Sequence, residues 1–131
     1  MEYDMIHDFA LGYTNGFRDA ALLLRHYQKR RAMLGVGSIP DYATLADEFL
    51  GAKKDARVQE CPRSRGDVVR FDPVTDMSGV VDPNNVIRTF YRIVPCASVS
   101  DLAIRLDLRR AGLCHGYATK QLYFDAECKK W

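Results

Sequence analysis

The spacing of hydrophobic positions is helical in the first part of the chain. Between Phe17 and Met33 there is no proline, and apolar residues recur at steps of three and four while basic residues fall between them. The apolar positions that set this rhythm are Phe17, Ala20, Ala21, Leu24 and Tyr27. The pattern predicts a helix that begins after Asn15-Gly16 and ends at Gly35-Val36-Gly37.

A second helix is predicted from Ser38 to Gly51. Pro40 suits the first turn of a helix, and Asp41 suits the positive end of the helix dipole. The apolar face of this helix consists of Tyr42, Leu45, Ala46, Phe49 and Leu50. The residues from Tyr3 to Tyr13 are a further candidate helix.

The rhythm changes at Asp67 to the alternation typical of strands. Strands are predicted at Asp67–Phe71, Met77–Val81 and Val86–Val94, which are rich in β-branched and aromatic residues. The turn formers Asp72-Pro73 and Asp82-Pro83-Asn84-Asn85 separate them. Because such short turns join only antiparallel neighbours, we expect a meander.

The remaining segments complete the predicted organisation. The stretch from Lys53 to Gly66 has no clear period and carries five basic and two acidic residues, so we interpret it as an exposed basic connection. Leu102–Leu113 fits either a helix or a strand, and the tail ends in a short helix from Leu122 to Cys128. The sequence thus predicts one α+β domain over residues 1–131, with N-terminal helices (about 1–51) packed on a small antiparallel sheet (about 66–131).

Composition and charge narrow the class of protein. Of the 131 residues, 47% are hydrophobic and 27% are charged, as in ordinary folded domains. No run of 18 apolar residues is present, so we expect no membrane-spanning segment in this domain. The net charge of +2 excludes a histone-like polycation and permits a local basic site.

The cysteines and histidines do not form a metal-binding pattern. The four cysteines are Cys61, Cys96, Cys114 and Cys128, and no Cys-x-x-Cys pair occurs. We therefore predict no metal site and no cofactor. The acidic N-terminus does not resemble a signal peptide, which favours reduced, mostly buried thiols, although disulfides are possible.

One group of residues combines a histidine with cations and hydroxyls. His26 lies in the middle of the first helix, beside Arg25 and one turn before Lys29 and Arg30. The predicted strands add Arg70, Arg88, Thr89, Tyr91 and Arg92. Thr89 and Tyr91 share one face of their strand, so His26 meets them only if that face is turned toward the helices.

These side chains suit the cleavage of RNA without a metal. A histidine near neutral pH can take or give a proton, and cations can hold the phosphate while hydroxyls donate further hydrogen bonds. An aromatic ring can stack an unpaired base. Each residue also has a structural interpretation, because helices often carry structural histidines and solvated strand faces often carry arginines.

Two segments carry a resemblance to a known family. Gly66–Asp72 reads Gly-Asp-Val-Val-Arg-Phe-Asp, and Val86–Arg92 reads Val-Ile-Arg-Thr-Phe-Tyr-Arg, with Gly79-Val80 between them. Together they are similar to the C-terminal nuclease domains of bacterial polymorphic toxins, including those of contact-dependent growth inhibition systems. These domains belong to the barnase–EndoU–colicin–RelE superfamily of metal-independent RNases.

The helical half and the tail resemble the same family, and two positions depart from it. His26-Tyr27 and the helix residues Tyr42, Ala46 and Phe49 fit its pattern, as does the tail Tyr123–Cys128. The resemblance spans about Leu22 to Trp131. Arg30 stands where the family often has a second histidine, and Ser78 stands where it usually has phenylalanine. The second proton-transfer role is therefore left open between Tyr91, a lysine and no protein group.

We predict from the residues and the resemblance a metal-independent endoribonuclease that uses 2′-hydroxyl attack. His26 is the predicted general base or acid. The other predicted catalytic residues are Thr89, Tyr91 and Arg70, and the predicted phosphate-binding residues are Arg25, Lys29, Arg30, Lys53, Lys54, Arg88 and Arg92. His115 is a further candidate because it lies in a predicted turn, and His7 is predicted to lie at the surface.

The resemblance also implies partners and a place of action. Such domains are delivered as part of a larger secreted or cell-surface protein and cleave RNA, often tRNA, in the cytoplasm of a target bacterium. A cognate immunity protein neutralises them, and the basic first helix leads us to expect an acidic one. A host-cell activator is a possible requirement. The alternative is a non-catalytic module of the same fold that binds RNA or protein.

Overall fold

The first helix of the structure runs along one side of the sheet. The computed structural model describes residues 12–130, so most of the candidate helix at 3–13 and His7 lie outside the described residues. Helix α1 (Ala20–Leu34) begins at Asp19, whose carboxylate accepts the backbone N–H of Leu22 at 2.8 Å. It ends at Gly35, which has a left-handed φ of 67°. The helix begins later than predicted because Asp19, and not the Asn15-Gly16 pair, caps it.

The second helix confirms the predicted bounds and buried face. Helix α2 (Ile39–Gly51) begins at Ser38, whose hydroxyl accepts the N–H of Asp41. Tyr42 and Ala46 are fully buried. On the same helix, the buried Asp47 carboxylate accepts hydrogen bonds from three backbone N–H groups at residues 12–14, which fixes the start of the described chain against α2.

Four antiparallel strands form the main sheet in the order in which they occur along the chain. They are β1 (Gln59–Pro62), β2 (Val68–Phe71), β3 (Met77–Val81) and β4 (Ile87–Arg92). The three predicted strands are confirmed as a meander. The basic connection is only partly a loop, because it contains β1, which pairs with β2.

Further elements follow the sheet. The short strands β5 (Val94–Pro95) and β6 (Cys114–His115) pair in parallel, and between them lie a 3₁₀ turn and α3 (Leu102–Arg110). The ambiguous segment 102–113 is therefore mainly helical. The tail forms α4 (Lys120–Cys128).

Helices cover both faces of the main sheet, and this confirms the α+β class. On one face, Phe90 of β4 packs against Tyr42 and Phe49 of α2. On the other face, Phe124 of α4 packs in a cluster with Phe71 of β2 and its neighbours. No helix in the described part of the chain is long and apolar enough to cross a membrane.

Glycine at position 79 allows α2 to approach the sheet closely. A Cβ atom there would lie 2.8 Å from the side chain of Leu50 and 2.9 Å from the carbonyl oxygen of Thr89. Such distances are too short for any side chain. Gly79 thereby sets the separation between the helical layer and the sheet.

Two disulfides join the cysteines, so the favoured prediction of reduced thiols is wrong. Cys61 of β1 is bonded to Cys128 of α4, and Cys96 is bonded to Cys114 on either side of α3. The four cysteines are far apart in the sequence, and only the antiparallel pairing of β1 and the return of α4 bring the first pair together. Residue spacing alone could not reveal this.

Candidate active site

A row of side chains on α1 follows the edge strand β4. Leu22, His26 and Arg30 are spaced four residues apart and therefore share one face of the helix. Leu22 lies near Ile87 at the start of β4, and Arg30 reaches Tyr91 near its end. These side chains therefore lie along the seam where α1 packs against the edge strand, and we call this seam the α1–β4 groove.

A cavity of about 310 Å³ lies beside Leu22, at the end of this row of side chains. Leu22, Val86 and Ile87 give this cavity an apolar wall. Arg18 and Arg88 bring cations to the same place, and Asp82 brings a carboxylate. Both guanidinium groups are largely exposed, although Arg88 pairs with the buried Asp67 at 2.8 Å and Arg18 with Asp19 at 3.2 Å.

His26 lies in the middle of the groove in an apolar and positively charged environment. Its ring centroid is 5.6 Å from that of Phe17. Its Nδ1 atom is buried and has no hydrogen-bond partner in the described residues. Burial, and then the charges of Arg30, Lys29 and Arg25, lower the pKa of His26 from 6.5 to about 4. The imidazole is therefore neutral at pH 7, and only Nε2 is left to exchange a proton with a ligand.

Arg30 closes the other end of the groove. Its guanidinium carbon lies 5.0 Å from the centroid of the Tyr91 ring, a cation–π contact. No carboxylate within residues 12–130 pairs with it, and its buried Nε has no hydrogen-bond acceptor there. The positive charge of Arg30 is thus available to an anion at its terminal amino groups.

Thr89 and Tyr91 face away from the helical layer formed by α2. Phe90 points toward α2, so its neighbours on β4 point toward α4. The Tyr91 hydroxyl contacts the Tyr123 hydroxyl at 2.5 Å and the Glu127 carboxylate at 3.4 Å. His26 is hydrogen-bonded to neither Thr89 nor Tyr91, and the structure brings Arg30 to Tyr91 instead.

The Tyr91 hydroxyl keeps its proton at neutral pH. Burial, and then the nearby Glu127 charge, raise the pKa of Tyr91. The same burial, with Tyr91 itself, raises the pKa of Tyr123. These hydroxyls are therefore hydrogen-bond donors rather than bases.

The remaining predicted phosphate-binding residues fall into three other places. Arg25 and Lys29 are exposed on α1 beside the groove. Lys53 and Lys54 line a separate pocket of about 160 Å³ after the end of α2. Arg92 donates to the carbonyl oxygen of Thr75 and lies at the β2–β3 turn.

Arg70 binds carbonyl oxygens at the end of α2 and a carboxylate on β1. Its guanidinium donates to the carbonyl oxygens of Phe49 and Ala52 at 3.1 and 2.6 Å and pairs with Glu60. It lies on β2, two strands away from β4, and stabilises the end of α2. The structure does not bring it to the groove with His26.

His115, a candidate because of its predicted turn, lies instead in the short strand β6 and belongs to a second polar cluster. It is buried, its ring is stacked on Tyr123 with centroids 4.5 Å apart, and its Nδ1 accepts the N–H of Tyr117. Burial lowers its pKa, against the opposing charge of Asp76. Tyr123 and Glu127 were not singled out because only the fold of α4 across the sheet brings them to Tyr91.

Comparisons with known proteins add no assignment. No protein-family model matches the chain, and no curated protein matches it either. Among residues 12–130, no three His, Cys, Asp or Glu side chains are grouped so that they could hold a metal ion. The candidate site therefore rests on its geometry.

Proposed function

We propose that the protein is an endoribonuclease that needs no metal and cleaves RNA in the α1–β4 groove. The observation that carries the proposal is the row of Leu22, His26 and Arg30 along β4. It puts a neutral imidazole between a cavity with an apolar wall, which Arg18 and Arg88 also line, and a guanidinium that has no carboxylate partner in the described residues. A general base, a phosphate ligand and an apolar surface for a base are what this cleavage requires.

The groove suggests a role for each side chain. His26 removes the proton of the 2′-hydroxyl through Nε2, and the 2′-oxygen then attacks the adjacent phosphorus. The bond from phosphorus to the 5′-oxygen breaks, leaving a 2′,3′-cyclic phosphate and a 5′-hydroxyl that takes its proton from water. Arg30 holds the phosphate charge. Thr89, which lies half-buried on the same face of β4 as Tyr91, remains a candidate hydrogen-bond donor.

The resemblance supports the proposals for the substrate, the delivery and the inhibitor of the protein. It favours tRNA as the substrate, delivery to a target bacterium by a larger secreted or surface protein, and inhibition by a cognate immunity protein. The basic residues of α1 favour an acidic inhibitor that covers the groove. A host-cell activator belongs to the same proposal.

The alternative is a module of the same fold that binds RNA or protein without cleaving it. The observation that favours it is the engagement of the Tyr91 hydroxyl with Tyr123 and Glu127, which leaves His26 without a second proton-transfer group beside it in the described part of the groove. Such a module would bind RNA in the groove and release no product.

The test is incubation of the purified protein with total bacterial RNA in EDTA. We expect discrete fragments with 2′,3′-cyclic phosphate ends from the wild type and a loss of at least about a hundredfold in rate for His26→Ala. The matched control is Arg109→Ala on the exposed α3, which should cleave normally. Equal cleavage by wild type and His26→Ala would reject His26 as the base. Binding of RNA without cleavage, also after addition of a bacterial extract, would favour the alternative.

A further inference from the structure

The contacts of Tyr91 connect the candidate groove to α4 on the far side of the sheet. We propose that Glu127 and Tyr123 are positioning residues that fix Tyr91, so that its ring holds the Arg30 guanidinium toward an RNA phosphate. This inference rests on the proposed function for the identity of the anion. It gives a role to two residues of α4 that do not line the groove.

Arg30 depends on the Tyr91 ring for its position. The guanidinium has no carboxylate partner in the described part of the chain, and its Nε is buried without an acceptor. The face of Tyr91, 5.0 Å away, is therefore its main support. A cation held over an aromatic ring keeps its terminal amino groups free for an anion.

Tyr91 in turn depends on α4. Its side chain is 7% exposed, and its hydroxyl contacts the Tyr123 hydroxyl and the Glu127 carboxylate. Because a carboxylate only accepts, Tyr91 donates to Glu127 and the Tyr123 hydroxyl donates to Tyr91. Ser78 is fully buried and lies directly opposite Tyr91 in the strand register, and its side chain opposes the rise in the pKa of both hydroxyls.

Glu127 is held from three sides. Arg63 contacts its carboxylate at 3.4 Å and donates to its backbone carbonyl at 2.8 Å, and Lys130 pairs with the other carboxylate oxygen. The next residue, Cys128, is bonded to Cys61 of β1. A rigid carboxylate that accepts from a tyrosine also makes the ring more electron-rich and so strengthens its attraction for a cation.

The first measurement is the NMR resonance of the Arg30 Nε–H group in the free protein. We expect Glu127→Gln and Tyr123→Phe to shift or broaden this resonance, because the Tyr91 ring is then less firmly held. The matched control is Glu48→Gln, which removes the same charge from the exposed face of α2. An Arg30 resonance that is unchanged in both α4 variants overturns the positioning role, whether or not the protein cleaves RNA.

The second measurement is a double-mutant cycle for binding of a 2′-O-methyl RNA oligonucleotide, which cannot be cleaved by 2′-hydroxyl attack. We expect Arg30→Gln to weaken binding about tenfold and Glu127→Gln to weaken it severalfold, with little further effect when the two are combined. Independent, multiplicative effects would overturn the proposal. If Glu127→Gln fails to fold, Tyr123→Phe, which removes one hydroxyl, takes its place in the cycle.

The two measurements separate this inference from the proposed function. A responsive Arg30 resonance and coupled binding without any RNA cleavage support the positioning role and reject the nuclease. Cleavage that depends on His26, together with uncoupled binding, supports the nuclease and rejects the positioning role.

Discussion

The surroundings of His26 hold its imidazole neutral, and this has a consequence for stability. In the unfolded chain the pKa of His26 is near 6.5, whereas burial and the charges of Arg30, Lys29 and Arg25 bring it to about 4 in the folded protein. Between these two values the unfolded state binds more protons. The contribution of His26 to the free energy of unfolding therefore falls as the pH is lowered from 6.5 to 4.

We expect the His26 contribution to this loss to be on the order of 1–2 kcal/mol, less than the full shift implies because solvent screens the exposed side of the ring. The measurement is urea unfolding at several pH values between 4 and 7 for wild type and His26→Gln. The variant should show a smaller loss at low pH. His115→Asn is the control, since the pKa of His115 is lowered too and its loss should leave the His26 contribution in place. Identical pH dependence in wild type and His26→Gln would contradict the assignment.

At the scale of elements, the sequence pattern predicted those strands and helices whose ends are marked by turn-forming or capping residues. The bounds of β3 match because Met77–Val81 lies between two turn segments, and α2 matches because Ser38 and Gly51 mark its ends. Strand β1 escaped prediction since Gln59–Pro62 contains a glutamate and a proline and lacks alternation. Its pairing is set by β2, its neighbour in the sheet.

The candidate site could be predicted only as a set of residue types. The sequence indicated that His26, Arg30 and Tyr91 belong together, but the face of β4 on which Tyr91 lies depends on which helix covers which side. Arg70 could not be placed in this way. Its position in the sequence does not indicate that its guanidinium binds carbonyl oxygens at the end of α2.

The two disulfides give a prediction for the elements they join. Cys61–Cys128 closes a loop with a sequence separation of 67 and fastens α4, whereas Cys96–Cys114 closes one of 18 around α3. In the chain-entropy description, loss of the first should cost about 4 kcal/mol of unfolding free energy and loss of the second about 3 kcal/mol. Urea unfolding of the paired variants Cys61→Ala/Cys128→Ala and Cys96→Ala/Cys114→Ala measures both. A larger loss of unfolding free energy for the second pair, or no loss for either pair, would contradict this prediction.

At the scale of the whole molecule, a net charge of +2 provides little general attraction for RNA. Binding must come from a local concentration of cations, and two such groups lie beside a cavity in the described residues. One is the α1–β4 groove with Arg30 and Arg88, and the other is the pocket beside Lys53 and Lys54. The groove also contains the imidazole and an apolar wall, and the proposed function therefore places RNA there.

The salt dependence of binding can decide between these two surfaces. Each phosphate contact to a single strand contributes about 0.7 to the slope of log affinity against log salt. We expect Arg30→Gln/Arg88→Gln to reduce the slope for an uncleavable RNA oligonucleotide by about 1.4, because two contacts are lost together. Arg109→Gln/Arg110→Gln removes the same charge from α3 and should leave the slope unchanged. If instead Lys53→Gln/Lys54→Gln reduces the slope and the groove variant does not, RNA binds beyond the end of α2, and the proposed placement of RNA beside His26 is wrong.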